Sequence, residues 1–344
     1  MRKPNIVLII ADALRANNMS IYGYREKTTP MLESIRQNFM LYSNAICSSY
    51  WTLPSYASIF TGTYTSRHGL VTDGDVLDRS FITMAEMLRA NGYVTIGLCG
   101  NPYVSGFSGL DRGFDLFYDI RYAPIKTVLF RLLLRRKQSV EHRATSTLNK
   151  ARKSGECTKP PTLSHVAHVH ARVVENLTEL GPFKKTMWFL TGSSDKGARR
   201  ANALVFNLID RFKNKPFFLL LHYNETHTPY IIPMNFRDKF LTPESQKKPW
   251  DVNQDYLKYY SGKKKMAESD FQILEAMYNG AINYLDKRIY EIYSFLQKKE
   301  LLDNTLLIIT SDHGENLGDH GIVFHHFCLY DSLIRIPLLI KYPD

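Results

Sequence analysis

The chain alternates short apolar runs with longer segments of mixed polarity. Residues 5–11 (Asn-Ile-Val-Leu-Ile-Ile-Ala), 217–222 and 305–310 are apolar at odd and even positions alike. A strand with one face in water would alternate, so these runs predict strands buried on both faces, as in a parallel sheet. Residues 93–98 and 336–340 predict two further strands. Between them, residues 31–37, 55–61, 81–90, 195–212 and 268–298 predict helices. In 195–212, Ala198, Ala201, Leu204, Val205, Leu208 and Ile209 recur at helical spacing, and Pro216 closes the segment. Asn91-Gly92 ends the 81–90 helix, and Pro54 suits the first turn of the 55–61 helix. The order of elements predicts an α/β fold with a mostly parallel central sheet and helices on both faces.

In such sheets, ligands gather at the carboxyl ends of the strands. Asp12 follows the first strand; Asn224, Glu225 and His227 follow the 217–222 strand; Ser311-Asp312-His313-Gly314 closes the 305–310 strand. Residues distant in sequence are thus brought to one rim. Asp12, Asp312 and His313 together suit a hard-to-borderline metal ion. Four histidines fall within residues 313–326 (His313, His320, His325 and His326), more than capping or packing requires. Thr52 lies just ahead of the 55–61 helix. A hydroxyl there sits at the positive end of the helix dipole, which favours an alkoxide and an anionic ester. Taken alone, the segment also reads as a simple N-cap.

The composition changes this picture little. Of 344 residues, 44% are hydrophobic and 22% charged, which excludes disorder. Cys47, Cys99, Cys157 and Cys328 form no close pair, which excludes a disulfide framework and fits a reducing compartment. The first apolar run is about six residues, short of a signal-peptide core of roughly 7–15, and no run approaches the ~20 needed to span a bilayer. The expected location is cytoplasmic. The charge is more informative. Residues 121–200 hold 17 Lys/Arg against 5 Asp/Glu, a net +12 in a chain of net +11, so the rest of the chain is close to −1. The expected organisation is a single domain over 1–344 with a basic insertion at 121–195. Within it, 126–137 is apolar and ends in Arg135-Arg136-Lys137, a candidate for peripheral contact with a membrane or another polyanion. No zinc-finger spacing or aromatic RNA-binding motif is present, so no specific nucleic-acid partner is expected. Nothing in the pattern fixes the oligomeric state.

Several segments together resemble the sulfatase family of the alkaline phosphatase superfamily. They are residues 5–24; Thr52 to Gly62 with Ser66-Arg67-His68-Gly69; Gly92-Tyr93-Val94-Thr95; Arg112-Gly113-Phe114-Asp115; His222 to Tyr230; and Ser311 to Pro337. The resemblance implies the alkaline phosphatase/sulfatase-like fold. Because the sequence stops at Asp344, just after a predicted core strand, it implies one lacking the usual C-terminal subdomain. It also implies a metal-dependent ester hydrolase or transferase. The departures are specific. Sulfatases carry Cys-x-Pro-x-Arg, whose first residue becomes formylglycine. Here that residue is Thr52 and the Arg position is Tyr56, so no formylglycine is expected. The family's second metal-site Asp falls at Ala13, an active-site Lys at Asn101 and a later one at His326.

What remains resembles the branch with a Thr nucleophile, which includes phosphodiesterases and phosphoethanolamine transferases. That resemblance implies one divalent ion (Mn, Zn, Mg or Ca) held by Asp12, Thr52, Asp312 and His313. His320 and His325 are candidates for a second ion. It makes Thr52 the nucleophile towards a phosphodiester or phosphonate-type ester. His227 and His326 become the groups that bind the ester oxygens or protonate the leaving group. The expected partner is an anionic ester on a glycan or lipid headgroup. Two alternatives follow from the same departures: a sulfuric ester hydrolase working without formylglycine, and an inactive member that binds anions.

Overall fold

The computed structural model describes residues 3–120 and 195–344, apart from 248, 250, 326 and 327. The chain divides into two units, and the account below concerns the first, residues 1–120 with 191–344; residues 121–190 belong to the second. The basic segment 126–137, most of the insertion expected at 121–195, and His326 lie outside the described residues.

A seven-stranded sheet forms the centre. Its strands are β1 (Asn5–Ala11), β2 (Met40–Ile46), β3 (Val94–Cys99), β4 (Leu116–Asp119), β5 (Phe217–Tyr223), β6 (Thr305–Ser311) and β9 (Arg335–Lys341), in the spatial order β2-β9-β6-β1-β5-β3-β4. Strands β6, β1, β5, β3 and β4 run parallel; β9 is antiparallel to both β6 and β2. A separate hairpin pairs β7 (Asn316–Leu317) with β8 (Val323–Phe324).

Successive side chains of β1 explain its unbroken apolar run. Val7 and Ile9 enter one core with the helices α5 (Ala198–Phe212) and α8 (Glu268–Lys298). Leu8 and Ile10 enter the opposite core with α2 (Thr52–Thr61) and α4 (Met84–Ala90). Both faces are covered, so neither selects for polar residues. The fold is therefore the expected mostly parallel α/β arrangement.

Several boundaries differ from the pattern. The 31–37 helix is α1 (Pro30–Ser34) followed by a 3-10 turn, Arg36–Asn38. The 81–90 helix begins only at Met84, because Thr83 caps it: Thr83 Oγ1 accepts from Glu86 N–H at 3.1 Å while the Glu86 carboxylate accepts from Thr83 N–H at 2.8 Å. The 195–212 helix begins at Ala198. The 55–61 helix begins three residues earlier, so Thr52 is its first helical residue and the extended Trp51 is the N-cap. The simple N-cap reading of Thr52 is thereby corrected. Strands β2 and β4 and the β7–β8 hairpin carried no legible period; β2 lies at the sheet edge with most of its residues exposed. Among the described residues no helix is long and apolar enough to cross a membrane.

Candidate metal centre

Asp12 follows β1, and Asp312 and His313 follow β6. These strands are parallel neighbours with Ala11 opposite Ser311, so the two acids leave the sheet side by side. Ser311 fixes the junction. Its hydroxyl lies 2.6 Å from the carbonyls of both Ala11 and His313, and it accepts from Leu14 N–H at 2.9 Å. Gly314 lets the 332–333 backbone close over this tip, with Gly314 N–H donating to Leu333 O at 2.6 Å. A Cβ on Gly314 would stand 2.0 Å from Ser332 O.

Four donor atoms converge there. His313 Nε2 lies 3.6 Å from Asp12 Oδ1, 3.5 Å from Asp312 Oδ2 and 3.4 Å from Thr52 Oγ1. The ligand atoms of Asp12, Asp312 and His313 all lie within 4.8 Å of one another, and all four residues are buried. His313 Nδ1 lies 2.8 Å from Gly314 O, which can only accept. Nδ1 therefore carries the proton, and Nε2 turns its lone pair to the centre.

The carboxylates are divided in the same way. Asp12 Oδ2 accepts from Asn101 Nδ2 at 2.8 Å, and Asp312 Oδ1 accepts from the N–H groups of Ala13 and His313 at 3.3 and 3.0 Å. The facing atoms, Asp12 Oδ1 and Asp312 Oδ2, have no hydrogen-bond partner among the described residues. Two buried carboxylate oxygens without donors would be strongly unfavourable unless a cation lies between them. The donor set of two acids, one imidazole and a hydroxyl therefore fits a divalent ion.

Around these atoms sit Asn101, Tyr56 and Ala13, read from the pattern only as departures from the family's motifs, and His222. Asn101 Nδ2 donates to Asp12 and also lies 3.3 Å from Thr52 Oγ1, so one amide orients both the acid and the hydroxyl. Tyr56 hydrogen-bonds His222 Nδ1, and His222 Nε2 lies 3.4 Å from Asp12 Oδ2. With the Tyr56 hydroxyl as donor, His222 presents its Nε2–H to the carboxylate. Burial alone would raise the pKa of Asp12, but the neighbouring His227, His222 and His313 outweigh it and hold it well below the ordinary range. Burial dominates at Asp312 and raises it. Ala13 offers no ligand side chain; its backbone (φ 60°) holds Asp312 through N–H and accepts from Tyr278 through its carbonyl.

The other candidates are placed as follows. His227 lies outside the ring of donor atoms. Its ring centroid is 4.8 Å from that of His325, which in turn lies 4.5 Å from His313. His227 Nδ1 lies 2.5 Å from Thr228 O, so its Nε2 is a proton acceptor. Burial pulls its pKa down to about 4. His325 Nδ1 bonds Glu315 at 3.1 Å. His320 stacks on Tyr330 on the surface, away from the centre. Lys196, which the pattern did not single out, donates from Nζ to His227 O; burial lowers it to about 8 against the pull of Glu225, Asp12 and Glu315. Arg15 pairs with Asp319 through two bonds of 2.8 and 3.0 Å, a structural clamp.

Fold and site together define an α/β protein whose central strands present a cation-type centre beside a helix-terminal hydroxyl. The family model described as Sulfatase matches residues 4–344, and the chain belongs to that family. It is similar to the "Uncharacterized sulfatase YidJ" of Escherichia coli (strain K12), with 22% identity over 100% of this chain and 64% of that protein. The chain thus spans less than two thirds of that relative's length. Among solved structures, it is similar to the phosphonate monoester hydrolase of Agrobacterium radiobacter (TM-score 0.63, 19% identity, 98% of this chain and 68% of that one). It is also similar to the C-terminal periplasmic domain of phosphoethanolamine transferase EptC from Campylobacter jejuni (TM-score 0.58, 16% identity, 99% and 79%). These two likenesses concern the fold.

Proposed function

We propose that this chain is a metal-dependent hydrolase or transferase of phosphoesters, of phosphodiester or phosphonate type, with Thr52 as nucleophile. One observation carries the reading: Thr52 Oγ1 shares its surroundings with His313 Nε2, and two partnerless carboxylate oxygens face that same nitrogen. Asp12, Asp312, His313 and Thr52 would hold one ion of the Mn, Zn, Mg or Ca type. Such an ion, when bound, lowers the pKa of a neighbouring hydroxyl and neutralises charge on the ester oxygens.

The residues of the chain supply the rest. Asn101 holds Thr52 in place by donating to its oxygen. Thr52 Oγ1 passes its proton to solvent as it attacks phosphorus, and the P–O bond to the alcohol breaks, leaving the phosphoryl group esterified to the threonine. Water or an acceptor alcohol then attacks that ester, restores the Thr52 hydroxyl and carries the group away. His227, neutral at pH 7 with Nε2 free, suits removal of a proton from that second nucleophile, a base's task and not an acid's. Protonation of the leaving group falls to His326 or to solvent. The physiological ester, on a glycan or lipid headgroup, would be anionic. The names of relatives favour a second reading, sulfate-ester hydrolysis.

The test is a parallel assay of an aryl sulfate, a phosphate monoester, a phosphodiester and a phosphonate ester, each with Mn, Zn, Mg and Ca. Phosphodiester or phosphonate turnover that Thr52→Ala abolishes and Thr52→Ser partly keeps is the expected result. Preferential turnover of the sulfate, or full activity in Thr52→Ala, would reject the proposal.

A further inference from the structure

Lys196 stands on the segment that leads into α5, and its backbone is pinned on both sides. Asp195 Oδ2 accepts from Tyr284 OH at 2.6 Å and from Arg199 N–H at 3.0 Å, and its Oδ1 accepts from Gly197 N–H at 3.2 Å. Ala198 N–H donates to Glu225 Oε1 at 3.0 Å. Gly197 takes φ 125°, and a Cβ there would stand 3.0 Å from Ile120 O, so glycine suits the position. The half-buried Lys196 side chain thus reaches the rim, where Nζ donates to the His227 carbonyl. Its charge is felt by Glu225 and His227, which follow β5, by Asp12, which follows β1, and by Glu315, beyond β6. Lys196 makes no ion pair among the described residues. Glu225 is engaged elsewhere: its two oxygens accept from Ala198 N–H and, at 3.1 Å, from Asn224 N–H. Burial and the nearby Asp195 push the Glu225 pKa up to about 7. Lys196 is lowered only to about 8, so it is charged at pH 7.

Holding a carbonyl needs a donor and not a charge, and drawing an ammonium out of water is costly. An ammonium also has three N–H groups, of which the His227 carbonyl takes one. The ester gives the charge a task. Asp12 and Asp312 balance the two charges of a divalent ion, while Asn101 and, at pH 7, His227 are neutral. An anionic ester would meet no net positive charge from these groups. Arg15, whose charge also reaches Glu315, is committed to Asp319. The layers complete the argument. Thr52 comes to the rim with α2 from one face of the sheet, and Lys196 with α5 from the other. A group held between them has the hydroxyl on one side and the ammonium on the other. We propose that Lys196 is a specificity-determining residue, whose remaining N–H groups bind a negatively charged oxygen of the ester and so select anionic esters over neutral ones. This rests on the proposed anionic ester, but not on whether phosphorus or sulfur lies at its centre.

Calorimetry on the metal-loaded chain compares dimethyl phosphate, a monoanion, with trimethyl phosphate, its neutral counterpart. The wild type should prefer the anion. Lys196→Gln keeps a donor for the His227 carbonyl and removes only the charge. It should weaken dimethyl phosphate about tenfold or more, the usual consequence of losing a charge-assisted bond, and leave trimethyl phosphate unchanged. Lys196→Arg should restore most of the preference. Divalent-ion affinity, measured by competition with a chelator, should be the same in all three proteins, which a merely structural lysine would not guarantee. If Lys196→Gln does not fold, Lys196→Met and the preference of the wild type decide. A wild type without preference for the anion, a charge-free variant that keeps the preference, or equal losses for both phosphates would overturn the assignment. The ester class is decided separately. Preferential turnover of an aryl sulfate would reject the phosphoester reading and leave the Lys196 result standing. Phosphodiester turnover that Lys196→Gln leaves intact would remove Lys196 and leave that reading standing.

Discussion

Asp12 shows how one side chain is divided between two tasks. Oδ2 is engaged by Asn101 with His222 close by, which leaves Oδ1 as the atom that faces the centre. Groups that orient a ligand in this way commonly change metal affinity by about 10–100-fold when removed. Tyr56→Phe should therefore weaken divalent-ion affinity by about tenfold, measured by competition with a chelator. Unchanged affinity would mean that the Tyr56–His222 pair is only packing. Asp312→Ala should lose the ion altogether, with elemental analysis as the readout; full stoichiometry in that variant would remove Asp312 from the site. At this scale the sequence was informative where function follows local position. Asp12, Asp312 and His313 end apolar strands, and an acid at a strand end is visible without coordinates. Tyr56, His222 and Asn101 were legible only as departures from a motif or as core residues. Their partners lie 166, 210 and 89 positions away in the chain, and nothing local encodes such contacts. His227 was legible as a candidate, but its tautomer, on which the base role proposed for it rests, depends on the Thr228 carbonyl.

Elements deliver these residues, and their boundaries matter more than their identities. The long periodic helix α8 and the apolar strands β1, β5 and β6 could be read directly, because each is buried along most of its length. The edge strand β2 and the short hairpin strands could not, since their pairing is set by neighbours and not by their own period. The helix starting at Thr52 could not be bounded either: its N-cap, Trp51, makes no side-chain capping bond, so no capping signature marks the start. Where a cap exists, it can be tested. Thr83→Ala removes the acceptor for Glu86 N–H and should cost about 1 kcal/mol in a denaturant titration; no change would leave the capping box without energetic weight. Gly314 is a stronger constraint. A methyl group there would meet the Ser332 carbonyl, so Gly314→Ala should displace the Asp312–His313 tip and lower metal affinity more than a surface Gly→Ala change such as Gly23→Ala. Equal effects from the two variants would show that the close approach is not needed.

For the whole molecule, buried acids and an uneven charge set the response to solution conditions. Asp286, on α8, accepts from Met31 and Leu32 N–H at 2.8 and 2.9 Å and so holds the start of α1. Burial nevertheless raises its pKa from an ordinary 3.8 to about 7. The folded state then binds an extra proton between those values, so this group's contribution is greatest below about 4 and is lost as pH rises through about 7. Asp286→Asn should flatten that part of the stability–pH curve in thermal melts between pH 4 and 7; an unaltered slope would show that Asp286 titrates normally.

The charge of residues 121–200 acts at longer range. An excess of 17 basic over 5 acidic residues would attract an anionic surface over roughly a Debye length, about 10 Å at 0.1 M salt. A catalytic rim that recognises an anionic ester would be served by a segment that concentrates such esters at a surface. On that argument, replacing Arg135, Arg136 and Lys137 with Gln should weaken binding to anionic vesicles at low ionic strength, by about 1 kcal/mol per charge removed near the surface. Turnover of a small soluble ester should be unaffected. Both arms are needed, because a loss in both would point to misfolding, whereas vesicle binding that survives the substitution, or that ignores added salt, would mean that these three charges take no part in surface attraction.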